Sequence, residues 1–120
     1  MTKLPKATPR VLKHPPCPIT RFMGVLGAKW SAAIVYHVGK GANRFGGLTR
    51  AIPEVSKQVL TLRLRELEGA GILKRVAMPD GPLHVEYSLT NSGLVLLPAL
   101  DAMAECGAEN LRLEELADLV

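Results

Sequence analysis

Pro53 constrains this chain more than any other residue, because helical patterning runs up to it and resumes almost at once. A proline cannot continue a helix, and it pushes the residue before it out of the α region. A short helix predicted over 45–52 therefore stops at Ile52, weakened internally by Gly46 and Gly47. Ser56 then serves as N-cap for a longer helix, SKQVLTLRLRELEGAG, and Gly71 is placed to end it. Two helices meeting through a sharp turn make a helix-turn-helix.

The residues after the second helix complete the motif. LKRVAM (73–78) and LHVEYSL (83–89) alternate with period two around PDGP (79–82), whose residues have strong turn chemistry. That is a β-hairpin, and a ribbon after the second helix is a wing. Upstream, Cys17-Pro18 opens a helix with proline at its first position, and Ile19, Phe22, Met23 and Leu26 give it an apolar face. A further helix is expected over 30–37, with Trp30, Ile34 and Val38 on one side and Gly39-Lys40-Gly41 ending it. Thr90 caps a last helix from about Asn91, in which Pro98 either introduces a bend or marks a boundary. The fold class expected is mainly α with a β-hairpin wing, a winged helix-turn-helix.

The 120 residues suffice for one domain with a modest core, and 48% apolar with 22% charged residues is a globular composition. Three segments are expected: a flexible basic arm over 1–16, the winged domain with terminal dimerisation helices over 17–107, and an acidic amphipathic helix over 108–120. The arm, with four prolines, four cations and no acid, suits an extended conformation. No apolar run is long enough for a membrane span, and the N-terminus lacks the organisation of a signal peptide. With only Cys17 and Cys106 there is no disulfide framework, so a cytoplasmic protein with no membrane association is expected.

Charge is divided unevenly. Residues 1–75 carry fourteen of the fifteen Lys and Arg against three acids, a balance of +11. Residues 76–120 carry Arg112 against eight acids, a balance of −7. A basic first part suits a polyanion such as double-stranded DNA, although basic patches also occur as plain solvated surface.

On a wheel of about 100° per residue, Leu60, Leu64, Leu67 and Gly71 form one stripe of the long helix. Gln58, Leu62 and Arg65 lie opposite, with Thr61 on the flank and Lys57 on the first turn. Residues so placed near the start of a recognition helix project into the major groove, where Gln reads adenine, Arg or Lys reads guanine or phosphate, and an apolar side chain meets a thymine methyl. The candidate DNA-binding set is Ser56, Lys57, Gln58, Thr61, Leu62 and Arg65 on this helix, with Arg44, Arg50, Arg75 and His84 on backbone phosphates. Asp80 at the wing tip and a His84 that is mostly neutral at pH 7 make wing contact the weaker expectation.

CP at 17–18, GAKW at 27–30, RFGGL at 44–48, the helix SKQVLTLRLRELEGAGIL, VEYSLT at 85–90 and LLPALDAM at 96–103 together resemble the HxlR-type bacterial transcriptional regulators. These are winged helix-turn-helix proteins of MarR-like architecture, and the likeness spans roughly 17–110 in order. The resemblance implies a homodimer on a pseudo-palindromic operator, with terminal helices at the dimer interface. It implies that Trp30 is a buried tryptophan, that Lys57 and Thr61 face the groove, and that 85–90 form the second wing strand. Leu62, His84 and Gly47 depart from the family's usual residues, which bears on the operator and on wing contact.

Cys17, before Pro18 at a helix start, sits where the positive end of the helix favours thiolate, and Arg21 and His14 would push the same way. Some members of the family resembled use a cysteine here to sense oxidants or electrophiles; the competing reading is an unreactive buried residue. Cys106 is assigned to interface packing. The histidines and cysteines match no metal-ligand spacing, and there is no phosphate loop or nucleophile elbow, so neither a metal, a cofactor nor an enzyme is expected. The expectation is a homodimeric, sequence-specific DNA-binding regulator whose effector the sequence does not name. A protein-interaction adaptor that keeps the fold without reading DNA is the alternative.

Overall fold

The longest helix of the structure, α4 (Lys57–Gly69), begins and ends where its local chemistry dictates. The Ser56 hydroxyl accepts a hydrogen bond from the Val59 amide at 3.1 Å, satisfying one of the orphan donors of the first turn. At the other end the Gly71 amide donates to the Glu68 carbonyl and the Ile72 amide to the Leu67 carbonyl, with Gly71 at φ +79°. That paired closure needs a left-handed residue, which glycine adopts without a side-chain penalty.

The computed structural model describes residues 17–81 and 83–110. Along it run α1 (Pro18–Leu26), α2 (Ser31–Gly39), α3 (Phe45–Ala51), α4, β1 (Leu73–Ala77), β2 (Val85–Leu89), α5 (Asn91–Leu94) and α6 (Leu97–Glu105), closed by a π-helical turn over Cys106–Asn110. The expected arm over 1–16 and residues 111–120 of the expected acidic helix lie outside the described residues.

Leu60, Leu64 and Leu67 of α4 are buried against Ile34, Val35 and Val38 of α2, Leu48 of α3, Ile52, Val55, Ile72, Leu73 and Leu100. Each fully buried leucine contributes about 1.5–3 kcal/mol, so the stripe is what sets the rotation of α4 about its axis. The helix turns its remaining sides outward as a consequence.

β1 and β2 pair antiparallel with Leu73 opposite Leu89, Arg75 opposite Tyr87 and Ala77 opposite Val85. The Tyr87 amide donates to the Asn43 carbonyl at 2.8 Å, which fastens the ribbon to the loop between α2 and α3. The strands end sooner than the alternating pattern suggested, leaving a longer tip around Asp80. At the ribbon's base the Thr90 hydroxyl donates to the Gly71 carbonyl at 2.5 Å and accepts from the Gly93 amide at 3.1 Å.

Of the two outcomes expected at Pro98 the boundary is found: α5 ends at Leu94 and α6 starts at Leu97 with Pro98 in its first turn. One expectation is corrected. Trp30 is not fully buried and is not inside α2. It is the residue before that helix, half-buried, and the only non-glycine residue at positive φ among those described, at +79°. Its backbone is held from several directions. The Ser31 amide donates to the Ala28 carbonyl, the Arg63 Nε donates to the Lys29 carbonyl at 2.8 Å, and the Lys29 ammonium sits 5.2 Å from the indole centre. Packing imposes a conformation that a tryptophan alone would avoid.

Candidate nucleic-acid interface

The core stripe fixes what α4 presents. Ser56, Lys57, Gln58 and Arg65 are exposed, Leu62 is 48% exposed, and Thr61 is half-buried. Gln58, Leu62 and Arg65 share the face opposite the core stripe with Thr61 on its flank, whereas Lys57 lies toward the core edge and is exposed on the first turn. Leu62 stands outside the buried cluster, as its position opposite Leu60 and Leu64 required.

The two flanks of α4 differ in charge. On one flank Arg63 is consumed internally: its Nε holds the Lys29 carbonyl and its Nη1 meets the Glu66 carboxylate at 3.2 Å. On the other, Thr61, Arg65 and Glu68 face the hairpin across a cavity of about 450 Å3 that Phe45, Arg75 and Tyr87 complete. Among the described residues no carboxylate comes within 4 Å of Lys57, Arg65, Arg75, Lys74, Arg44 or Arg50, whereas Lys40 pairs with Asp101 at 2.8 Å. Cations left without partners are cations still able to bind a polyanion.

Arg50 lies in the last turn of α3, its guanidinium folded back along Gly46 and Gly47; a Cβ added at Gly46 would stand 3.5 Å from Arg50 Nη1. Glycine at 47, a departure from the resembled pattern, thus forms part of the surface under an arginine. Arg44 precedes α3 with extended backbone and shares a cavity at the wing tip with Asp80, Gly81, Leu83 and His84.

His84 is the candidate that the structure places differently. Its Nδ1 lies 2.7 Å and 2.8 Å from the two Asp80 carboxylate oxygens, and its Nε2 lies 2.9 Å from Glu86 Oε2. A ring with a carboxylate on each nitrogen is satisfied on both sides only as the imidazolium, which donates twice. The hydrogen bond to Asp80, followed by that to Glu86, raises the pKa of His84 above the ordinary value, and the same bond lowers that of Asp80. The expectation of a mostly neutral His84 directed at phosphate is revised: carboxylates occupy both nitrogens and favour the imidazolium by raising its pKa. Sequence reasoning counted Asp80 only as missing positive charge and passed over Glu86, although their spacing of four and two residues from His84 was the available signal. It also missed Phe45, Glu68 and Tyr87, which meet at the cavity from distant parts of the chain.

Cys17 precedes α1 and is exposed, so the reading of it as a buried residue fails. The Thr20 and Ile19 amides, then the Thr20 hydroxyl, lower its thiol pKa although the sulfur does not cap the helix; Arg21 is not the cause. Cys106 is exposed as well, within the π-helical turn. Among the described residues no cluster of His, Cys, Asp and Glu is placed to hold a metal, and no helix is long and apolar enough to cross a membrane.

Comparison with known proteins gives a concordant result. The family model described as HxlR-like helix-turn-helix matches residues 25–115. An uncharacterized HTH-type transcriptional regulator of Synechocystis sp. is 43% identical over 98 residues, covering 82% of this chain and 73% of that protein. Among solved structures, a MarR-family protein from Porphyromonas gingivalis W83 superposes with a TM-score of 0.73 at 37% identity, over 85% of this chain and 100% of that one. The reduced form of the redox regulator HypR superposes with a TM-score of 0.74 at 38% identity, over 82% of this chain and 98% of that one. The winged arrangement, the helix-turn-helix and these matches agree: the chain belongs to the HxlR-like helix-turn-helix family of transcriptional regulators, which are not enzymes.

Proposed function

We propose that the chain acts in the cytoplasm as a homodimer that binds a pseudo-palindromic operator. The observation that carries this reading is the pairing asymmetry: among the described residues, cations around α4, α3 and β1 have no carboxylate within 4 Å, while Arg63 and Lys40 are paired. Lys57, Gln58, Thr61 and Leu62 enter the major groove, with Ser56 at the groove edge. Arg44, Arg50, Arg65 and Arg75 face the duplex around them, and His84 acts by holding the wing tip rather than by touching phosphate.

Dimerisation is supported by apolar surface that has no partner within the described chain. α1 buries only Leu26 while Ile19, Met23 and Val25 are exposed, and Leu94, Val95 and Met103 are exposed along α5 and α6. Patches of this kind, at both ends of the domain, suit a two-fold interface. An oxidant or electrophile response through Cys17 is supported by its exposure, by its lowered thiol pKa and by the likeness to HypR, a redox regulator.

Selection from a random duplex pool, followed by sequencing with and without a mild thiol oxidant, tests all three parts. An inverted repeat with half-sites about 34 Å apart is expected, weakened by oxidation in the wild type and not in Cys17→Ser. Failure to enrich any sequence at moderate salt would favour the adaptor reading, to which the exposed Leu62 and the self-neutralised wing tip lend support. Lys57→Ala with Arg65→Ala separates the two, since only a DNA reader loses duplex affinity.

A further inference from the structure

The cavity between α4 and the wing has a composition that plain groove-facing arginines do not require. Thr61, Arg65 and Glu68 are spaced four and three residues apart, so they stack along one stripe of the helix wall. Arg75 and Tyr87 are directly opposite in the hairpin register, so both leave the ribbon on the same side, and Phe45 closes the cavity from the start of α3. Two guanidinium groups on different elements thus face a single space of about 450 Å3. Neither has a carboxylate within 4 Å among the described residues, even though Glu68 lines the same cavity. Like charges gathered around one opening repel each other until an anion enters.

We propose that this notch seats a single phosphodiester of the DNA backbone, gripped by Arg65 from the helix and by Arg75 from the wing. The planar guanidinium fork matches two phosphate oxygens, so two forks on opposite walls can hold one phosphate between them. The Thr61 hydroxyl and the Tyr87 phenol supply neutral donors, and Phe45 offers a surface to the adjoining sugar. Arg65 and Arg75 are exposed, so the mouth admits a phosphate still joined to its chain. Arg65 is then a backbone contact, and base reading falls to Gln58 and Leu62, a step round the helix. Glu68 offsets part of the charge of the empty notch and opposes the phosphate when it arrives. The inference rests on the DNA-binding reading above and adds to it a shared site.

The test is a double-mutant cycle on the intact chain with the duplex recovered from the pool selection. Arg65→Gln, Arg75→Gln and the double variant are measured across a salt series, with thermal melting to confirm that each is folded. Each single change is expected to weaken binding about tenfold or more and to lower the slope of log K against log salt by about 1.8, the amount for one phosphate in each half-site of the dimer's operator. The double variant should lose little beyond either single change and show the same slope. A walk of neutral methylphosphonates along the duplex should find one position in each half-site that weakens the wild type and leaves the double variant unaffected. Glu68→Gln should tighten binding, and Tyr87→Phe should weaken it a few-fold without changing the slope. Additive losses with summed slopes, or no such methylphosphonate position, would overturn the shared seat while leaving DNA binding intact. A wild type that binds no duplex above background would overturn the DNA-binding reading, and the notch with it.

Discussion

Ser56 has two assigned roles, a helix cap and a neighbour of DNA, and two substitutions separate them. Its hydroxyl accepts from the Val59 amide at 3.1 Å, and among the described residues no other side chain caps the first turn of α4. Ser56→Ala leaves that amide without its partner, at a cost of about 1 kcal/mol. For a domain of this size, that corresponds to a fall in Tm of about 4–8 °C. Ser56→Asp restores an acceptor and puts a carboxylate at the positive end of the helix, worth about 0.3–1 kcal/mol, so its Tm should match or exceed the wild type. For DNA the order reverses. The alanine variant, once folded, keeps every cation and should bind within a few-fold of wild type. The aspartate adds negative charge beside Lys57 in both subunits, offsetting close to one phosphate contact in each half-site and lowering the salt slope by about 1.8. Scanning calorimetry and fluorescence anisotropy over a salt series read both quantities on the same preparations. A Ser56→Ala protein as stable as wild type would refute the cap. A Ser56→Asp protein that binds the selected duplex with unchanged affinity and slope would refute the placement of this helix end against the backbone.

Gly93→Ala should be severe, because the new Cβ would collide with the Ile72 carbonyl oxygen and stand 3.3 Å from Leu89 Cβ; a loss of about 2–3 kcal/mol is expected by chemical denaturation. Gly69→Ala, where nothing lies within 4 Å, is the control and should be neutral or stabilising. His84, with its pKa raised by Asp80 and Glu86, contributes stability that is complete below its unfolded-state pKa and is lost as pH rises through the folded one; Asp80, lowered, contributes above its unfolded value and loses this as pH falls. NMR titration of the His84 ring should therefore place its midpoint above that of an unstructured histidine, and a midpoint at or below that value would sink the bracket. Cys17 should alkylate several-fold faster than Cys106 near neutral pH, and Thr20→Val should slow it; equal rates at the two cysteines would show that the first-turn donors do not activate the thiol.

The legibility of each feature in the sequence depends on how far apart its deciding groups lie in the chain. The span of α4 was legible because its signals are local: Ser56 before it, Gly71 after it, and the leucine stripe between them. The hairpin was legible for the same reason, since PDGP and the alternation around it are contiguous. Pro98 allowed a bend or a boundary, and the structure has the boundary, with α6 starting at Leu97. The backbone of Trp30 had no local signal at all, because the donor that holds its turn is Arg63, on another helix. Charge arithmetic failed in the same way at both flanks of α4. The +11 balance of the first 75 residues counts Arg63 and Arg65 alike. Folding then spends Arg63 on a carbonyl and a carboxylate, and points Arg65 at a notch that holds a second arginine without a carboxylate partner among the described residues. At the wing tip the error had the opposite sign, since Asp80 looked like a deficit of positive charge, whereas together with Glu86 it brackets His84 and raises its pKa. A polyanion therefore does not meet the net charge of the sequence. It meets the cations that the fold leaves without carboxylate partners, and among the described residues two of those, Arg65 and Arg75, share one cavity on the wing side of α4.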